Sequence, residues 1–215
     1  MANCNPFIIS VAGSSCSGKT FTAKQIAKTV ADVFNPNPTD SDIEADITIL
    51  SQDHYYIGGN NDTNYDEPGA IEWPLIISHL NELRKGNSVE IPVYNFEDHK
   101  RTNDTITAHP AKVIIIEGTM IFNCKEILEM SNIKVFVTAY SELMYTRRLK
   151  RDVDERKRTT EEVNMRYFRD VVPGNSLYVE ATKNYADIIL VNNSHDKFVG
   201  LQILLDHIKM RLQNN

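Results

Sequence analysis

Phe7-Ile-Ile-Ser-Val-Ala-Gly13-Ser-Ser-Cys-Ser-Gly18-Lys19-Thr20-Phe21 is the stretch whose reading decides the fold. Phe7–Val11 is a run of β-formers, and the small polar residues after it give way at once to a helical pattern over Thr20–Phe34. Inside it, Gly13-Ser14-Ser15-Cys16-Ser17-Gly18-Lys19-Thr20 matches G-x-x-x-x-G-K-S/T at every fixed position, with the strand before and the helix after that this pattern requires. The physical need is specific. Several main-chain N–H groups must meet phosphate oxygens together, and glycine lets the backbone approach without a Cβ in the way. The positive end of the following helix adds to the attraction. Lys19 is placed to neutralise the β and γ phosphates of a nucleotide, and the Thr20 hydroxyl to ligate Mg²⁺.

Outward from this loop, short apolar runs alternate with helical patterns. Strands are expected at Phe7–Val11, Ile47–Leu50, Val113–Ile116, Ile133–Val137 and Asp187–Val191, and helices at Thr20–Phe34, Leu75–Lys85, Lys125–Met130, Ser141–Glu155 and about Thr160–Asp170. A last helix carries Phe198, Leu201, Leu205, Ile208 and Leu212 on one stripe. Val-Ile-Ile-Ile and Asp-Ile-Ile-Leu-Val are apolar without alternation, as strands covered on both faces should be. The fold class is α/β, a three-layer P-loop NTPase domain with a parallel sheet between helices. Two segments interrupt the rhythm. Asn-Pro-Asn-Pro-Thr-Asp-Ser-Asp over 35–42 reads as an exposed acidic loop. Val89–Phe96 and Thr105–Ala108 read as a hairpin added to the sheet, with Pro92 making its first strand an edge or a bulged one.

The chain has 215 residues, enough for a single domain, here taken as 1–215 with the hairpin at 89–110 and a lid at 147–172. Its net charge of −6 argues against general nucleic-acid binding and makes any basic patch a local device. Cys4, Cys16 and Cys124 form neither a disulfide framework nor a paired metal site. The segment before Phe7 is too short and polar for a signal peptide, and no apolar run reaches the ~20 residues that span a bilayer. A reducing, cytoplasmic location and no membrane partner are expected.

Other residues complete a site around the loop. Glu117 closes Val113–Ile116 where such a loop wants an acidic residue to hold the metal or its waters. Asp53, at the end of the second strand in Ser51-Gln-Asp-His-Tyr-Tyr56, faces the same crevice. It is either a base for an attacking hydroxyl or a partner of Mg²⁺. Tyr94 and Phe96 with His99 offer a flat heterocycle a stacking face and a polar edge; the plainer alternative makes the aromatics hairpin core and His99 a surface residue. Arg147 to Arg158 holds seven cations in twelve residues, either a solvated helix face or a lid whose arginines close over a transferring phosphoryl group. Thr159-Thr-Glu-Glu162 offers a capping box beyond it, with a hinge near Arg156–Arg158. Guanine specificity is not expected, because Thr182-Lys-Asn-Tyr185 lacks Asp in the fourth place of N/T-K-x-D.

Taken in order, Gly-Ser-Ser-Cys-Ser-Gly-Lys-Thr, Ser-Gln-Asp-His-Tyr-Tyr, Tyr-Asp-Glu-Pro, Ile-Pro-Val-Tyr-Asn-Phe with His99, Ile-Ile-Glu-Gly, Arg-Arg-Leu-Lys-Arg-Asp and Lys-Asn-Tyr-Ala-Asp resemble the uridine kinase (uridine–cytidine kinase) family of P-loop kinases from Phe7 to about Leu212. The resemblance implies a five-stranded sheet of order 2-3-1-4-5, ATP or GTP as phosphate donor with Mg²⁺, and uridine or cytidine as the small-molecule acceptor. It implies Asp53 as catalytic base, Asp66 on the ribose, and Tyr94, Phe96 and His99 around the base. It also implies Arg148 and Arg151 at the phosphates, Arg156 and Arg158 at substrate and phosphate, and a homo-oligomer, tetramer or dimer. The chain departs from the family at Gly69-Ala-Ile-Glu72, at Lys157 where glycine is usual, at Val171-Val-Pro-Gly-Asn-Ser176, and at Arg166 where the family has a substrate-contacting glutamine. These departures cluster at the acceptor end, and the added cation at Arg166 points toward a more acidic acceptor. Kinases of other small alcohols and a catalytically silent nucleotide-binding regulator are the rival readings. Cys16 is either a reactive thiol of the phosphate loop or an inert small residue.

Overall fold

Val113-Ile-Ile-Ile116 is buried along its whole length, and its residues divide between two cores. Val113 and Ile115 face one side, Ile114 and Ile116 the other, because successive side chains of a strand point to opposite faces. The computed structural model describes residues 5–35, 46–193 and 198–213. Cys4 and most of the expected acidic loop over 35–42 lie outside the described residues.

In chain order the elements are β1 (Phe7–Gly13), α1 (Lys19–Phe34), β2 (Ile47–Ser51), α2 (Trp73–Arg84), β3 (Val89–Asn95), β4 (Lys100–Ala108) and β5 (Val113–Gly118). There follow α3 (Lys125–Met130), β6 (Ile133–Thr138), α4 (Ser141–Asp154), α5 (Thr160–Arg166), β7 (Ile188–Val191) and α6 (Val199–Gln213). The main sheet runs β2-β5-β1-β6-β7, all parallel. Setting the hairpin strands aside, that is the expected order 2-3-1-4-5. One face buries Ile9, Val11 and Leu190 under α1 and α6. The other buries Ile8, Leu50 and Phe136 under α2, Phe122 and Ile127.

The hairpin corrects one expectation. Among the described residues, β3 and β4 pair only with each other, as a separate two-stranded antiparallel sheet, and do not extend the main one. Its register shifts between Pro92 and Tyr94, where the proline has no N–H to give to a ladder. β4 also begins at Lys100, earlier than the apolar pattern indicates, since Lys100–Thr107 is mostly exposed and is held by cross-strand pairing.

The second correction concerns the end of α5. The chain does not leave the helix near Asp170. It passes through a π turn at Tyr167–Val171, a helical Val172–Gly174, a second π turn at Asn175–Val179 and a 3-10 segment to Tyr185. A proline inside a helix lacks a donor and clashes with the carbonyl four residues back, and widened turns on either side of Pro173 accommodate it. No helix among the described residues is long and apolar enough to cross a membrane.

Phe136 is fully buried, with its ring 6.5 Å from that of Phe122 and the Lys183 ammonium on it. Phe136→Ala should therefore destabilise the fold by about 3–5 kcal/mol in urea denaturation. A loss under ~1 kcal/mol would contradict this packing.

Candidate active site

Register brings three strand ends together. Glu117 of β5 lies opposite Val11 of β1 and Ser51 of β2, so the phosphate loop, Glu117 and the segment after β2 open into one crevice. Gly18 caps α1 with φ +106°, a left-handed conformation costly for other residues, and this turn directs the loop into the helix. Lys19 is buried and donates to the Ser14 carbonyl at 3.0 Å. Burial pulls its ammonium down, while Glu117 and then Asp53 push it back up. Glu117 accepts from Ser51 Oγ at 2.8 Å and Thr20 Oγ1 at 3.3 Å. Its carboxyl is held above the ordinary range by burial first and by the Asp53 charge second, with Lys19 opposing.

These groups line one end of a cavity of about 440 Å³. Ser15, Cys16, Gly18, Lys19 and Thr20 form its wall, whereas Gly13, Ser14 and Ser17 lie behind it. Ser14 Oγ donates to Glu180 at 3.3 Å, and Asn192 Nδ2 donates to the Ser17 carbonyl at 2.8 Å, so β7 and the long helical run both brace the loop. Cys16 has φ +63° and contributes its carbonyl to Arg147 at 3.4 Å.

The basic run is not a solvated face. Asp152, with no exposed surface, sits among Arg151 (2.8 Å), Arg158 (3.3 Å), Arg156 (3.5 Å) and Arg148 (3.6 Å). Burial alone would raise its carboxyl; Arg151, then Arg148 and Arg156, outweigh that and hold it below the ordinary range. From this hub Arg148 donates to Ser15 Oγ at 3.1 Å, and Arg156 lies 3.9 Å from the centre of the Phe96 ring. The capping box forms by half. Thr159 Oγ1 accepts from Glu162 N at 3.2 Å, but the Glu162 carboxylate turns to Arg166 and Arg158 instead of back to the cap.

The far end of the cavity is aromatic. Tyr56, Tyr65, Tyr94 and Phe96 meet edge-on or tilted at centroid distances of 5.2–6.3 Å. His99 is buried, against the surface alternative, and stacks on Tyr65 at 5.2 Å with the planes 11° apart. Its φ of +53° at the hairpin turn directs the ring inward. Arg166, also buried, reaches His99 Nε2 at 3.3 Å, Asn61 Oδ1 at 3.0 Å and Glu162 Oε1 at 3.1 Å. Its charge is thus already matched, which removes the ground for expecting a more acidic acceptor. Asp66 is on the wall, raised mainly by burial, with Arg148 opposing. Gly174 packs so closely behind it that a Cβ there would stand 2.2 Å from the Asp66 carbonyl.

All the residues singled out from the sequence come together here, apart from the three loop positions behind the wall. Residues not singled out are Tyr56 and Tyr65, which complete the aromatic end, Asp152, and Asp170, which a bidentate Arg169 holds at 2.7 and 2.8 Å on the cavity wall. Tyr65 and Tyr56 stand inside motifs quoted above, so proximity to Asp66 and Asp53 was the available signal.

Thr20, Glu117 and Asp53 suit a hard divalent cation. All offer oxygen, and the Asp53 charge helps hold the Glu117 carboxyl above its ordinary range, a repulsion a cation relieves. No group of three acidic, histidine or cysteine ligands exists among the described residues, and Mg²⁺ needs none, since one or two carboxylates with water and phosphate oxygens suffice.

Asp152→Asn should cost about 3–5 kcal/mol, because it removes a fully buried anion from among the buried Arg148 and the half-buried Arg151, Arg156 and Arg158. Since the folded carboxyl is depressed, its contribution is present above the unfolded value near ~3.9 and fades as pH falls through the lower folded value. The stability gap between wild type and variant, followed by denaturation from pH 7 downward, should therefore be flat until about pH 4 and narrow below it. A gap constant into stronger acid would contradict the charge assignment.

The geometry can be set beside known proteins. A family model described as Phosphoribulokinase / Uridine kinase family matches residues 8–198. A uridine kinase of Deinococcus deserti is 37% identical over 192 residues, covering 86% of this chain and 87% of that protein. One from Clostridium tetani is 35% identical over 210 residues, covering 98% of each. A solved structure of a possible uridine kinase from Bacillus stearothermophilus shares the fold with TM-score 0.60 at 14% identity, over 86% of this chain and 88% of that one. With a phosphate loop, the 2-3-1-4-5 sheet and full-length relatives at this identity, the chain belongs to the phosphoribulokinase / uridine kinase family.

Proposed function

We propose that this protein is a nucleoside kinase that transfers the γ-phosphoryl group of ATP or GTP to the 5′-hydroxyl of uridine or cytidine, giving UMP or CMP. The observation that carries this reading is the single cavity whose one end is a phosphate loop and whose other end is an aromatic pocket with a buried histidine, with Asp53 lining it too. The uridine kinase relatives support the same acceptor.

The residues divide the work by position. Main-chain N–H groups of the loop and the Lys19 ammonium hold the polyphosphate. Thr20, Glu117 and Asp53 would hold Mg²⁺, which supplies charge neutralisation on the phosphates. Arg148 and Arg151 face the same end and stabilise the charge that develops on the phosphoryl oxygens. The 5′-hydroxyl oxygen forms a bond to phosphorus as the bond to the bridging oxygen breaks. Asp53 takes the hydroxyl proton, a transfer favoured by its carboxylate and by exclusion of water. Asp66 holds the ribose hydroxyls, Tyr94, Phe96 and His99 enclose the base, and Arg156 and Arg158 join the acceptor end to the lid. Residues 147–172 act as that lid within one kinase domain. On the same family ground we place the enzyme in the cytoplasm, as a homotetramer or dimer.

Asp53→Asn should lower kcat by about 10²–10⁴, a much larger effect than its weakening of ATP binding. Turnover at the wild-type rate would remove Asp53 as the base. Asp66→Ala should raise the KM for uridine and bring it toward that for 2′,3′-dideoxyuridine, because a site built to bond hydroxyls discriminates strongly against their absence. Equal wild-type use of the two nucleosides, in an ADP-release assay, would contradict the ribose role.

A further inference from the structure

Arg166 touches the acceptor pocket through His99. An arginine has donors and no acceptor, so the 3.3 Å contact between its Nη2 and His99 Nε2 has one chemical meaning: Nε2 accepts. A neutral imidazole that accepts at Nε2 carries its proton at Nδ1. Nδ1 itself has no hydrogen bond to the described residues, and His99 lines the cavity.

The ring cannot easily adopt another arrangement. Its backbone is in the left-handed region, its carbonyl accepts from Gly59 N at 2.9 Å, and one of its faces is covered by Tyr65. Arg166 is equally fixed, by Glu162 and Asn61. Turning the imidazole over would set a C–H against the guanidinium. Protonation would set N–H against N–H, among three cations, Arg166, Arg158 and Arg156, with Glu162 as the opposing charge. Burial and then Arg166 hold His99 below its ordinary value, in keeping with a ring that stays neutral.

We infer that Arg166 is a positioning residue for specificity: it locks His99 as the Nδ1–H tautomer, so that the pocket presents a fixed donor and selects a base carrying a carbonyl oxygen there over one carrying an amine. This rests on the nucleoside-kinase reading above and narrows it, from either pyrimidine to uridine in preference to cytidine. Uracil places an oxygen where cytosine places an amino group, and an amine facing an Nδ1–H leaves two donors opposed. A glutamine at 166 would impose no such choice, since an amide can donate or accept. Tyr94, whose hydroxyl burial keeps neutral, can also donate or accept, and follows whichever edge is present.

The test has two arms. In nitrogen NMR of histidine-labelled protein without substrate, wild type should show His99 protonated at Nδ1 and neutral through the range where an ordinary histidine titrates, about pH 6–7. Arg166→Gln should move the His99 titration upward and let the Nε2–H form appear beside Nδ1–H, and Arg166→Lys, which keeps a donor, should retain the Nδ1–H form. In the kinetic arm, kcat/KM for uridine should exceed that for cytidine by about tenfold or more in wild type, the size of one misplaced buried hydrogen bond. The ratio should fall to within about threefold in Arg166→Gln and persist in Arg166→Lys. Because each ratio compares two substrates on one enzyme, loss of folded variant does not mimic the effect. A proton on Nε2 in wild type overturns the inference, and so does a wild-type preference for cytidine or no preference. Nδ1–H with no turnover of either nucleoside sinks the kinase reading while upholding the assigned state of His99.

Discussion

A carboxylate without solvent stays ionised only where cations replace its water, and four guanidinium groups stay close together only where an anion holds them. Asp152 and Arg148, Arg151, Arg156 and Arg158 satisfy both conditions at once. The cluster gathers, in a chain of net charge −6, a local excess of positive charge beside the phosphate loop. It also fixes where each arginine can reach. Arg148 extends to Ser15 at one end of the cavity and Arg156 to Phe96 at the other, so the two ends are spaced from a common anchor. Arg158 carries the linkage on to Glu162 and through it to Arg166 and His99.

The parallel sheet supplies the opposite wall. Glu117 lies level with Val11 and Ser51, so strand register brings its carboxylate beside the start of the phosphate loop and beside the 3-10 turn that carries Asp53. Side chains positioned by rigid strands and a helix terminus hold their spacing better than ones carried on free loops. Tyr94, Phe96 and His99 are carried by the small hairpin, whose two strands, among the described residues, form a ladder only with each other.

How much of this the sequence disclosed follows from the range of each interaction. Gly18, Lys19 and Thr20 are legible because their geometry is local, a strand, a turn and a helix within a dozen residues. Glu117 and Asp53 are legible because a strand end in a parallel sheet points at a crevice. Asp152 was hidden: one acidic residue inside a basic run looks like dilution, and only tertiary burial makes it the centre. His99 was undecided for the same reason, since its burial depends on α5, more than sixty residues later, packing over the hairpin turn. The independence of the hairpin sheet could not be read either, because alternation and Pro92 describe a strand and say nothing about its neighbour. The helical run past Asp170 ran against proline's usual meaning, which the π turns around Pro173 set aside.

Gly174 and Asp66 form a seam in which main chain lies directly on main chain, with no side chain between them as a cushion. A side chain at 174 would therefore have to force the long helical run away from the cavity wall that carries Asp66, so the shape of the cavity at that wall depends on glycine there.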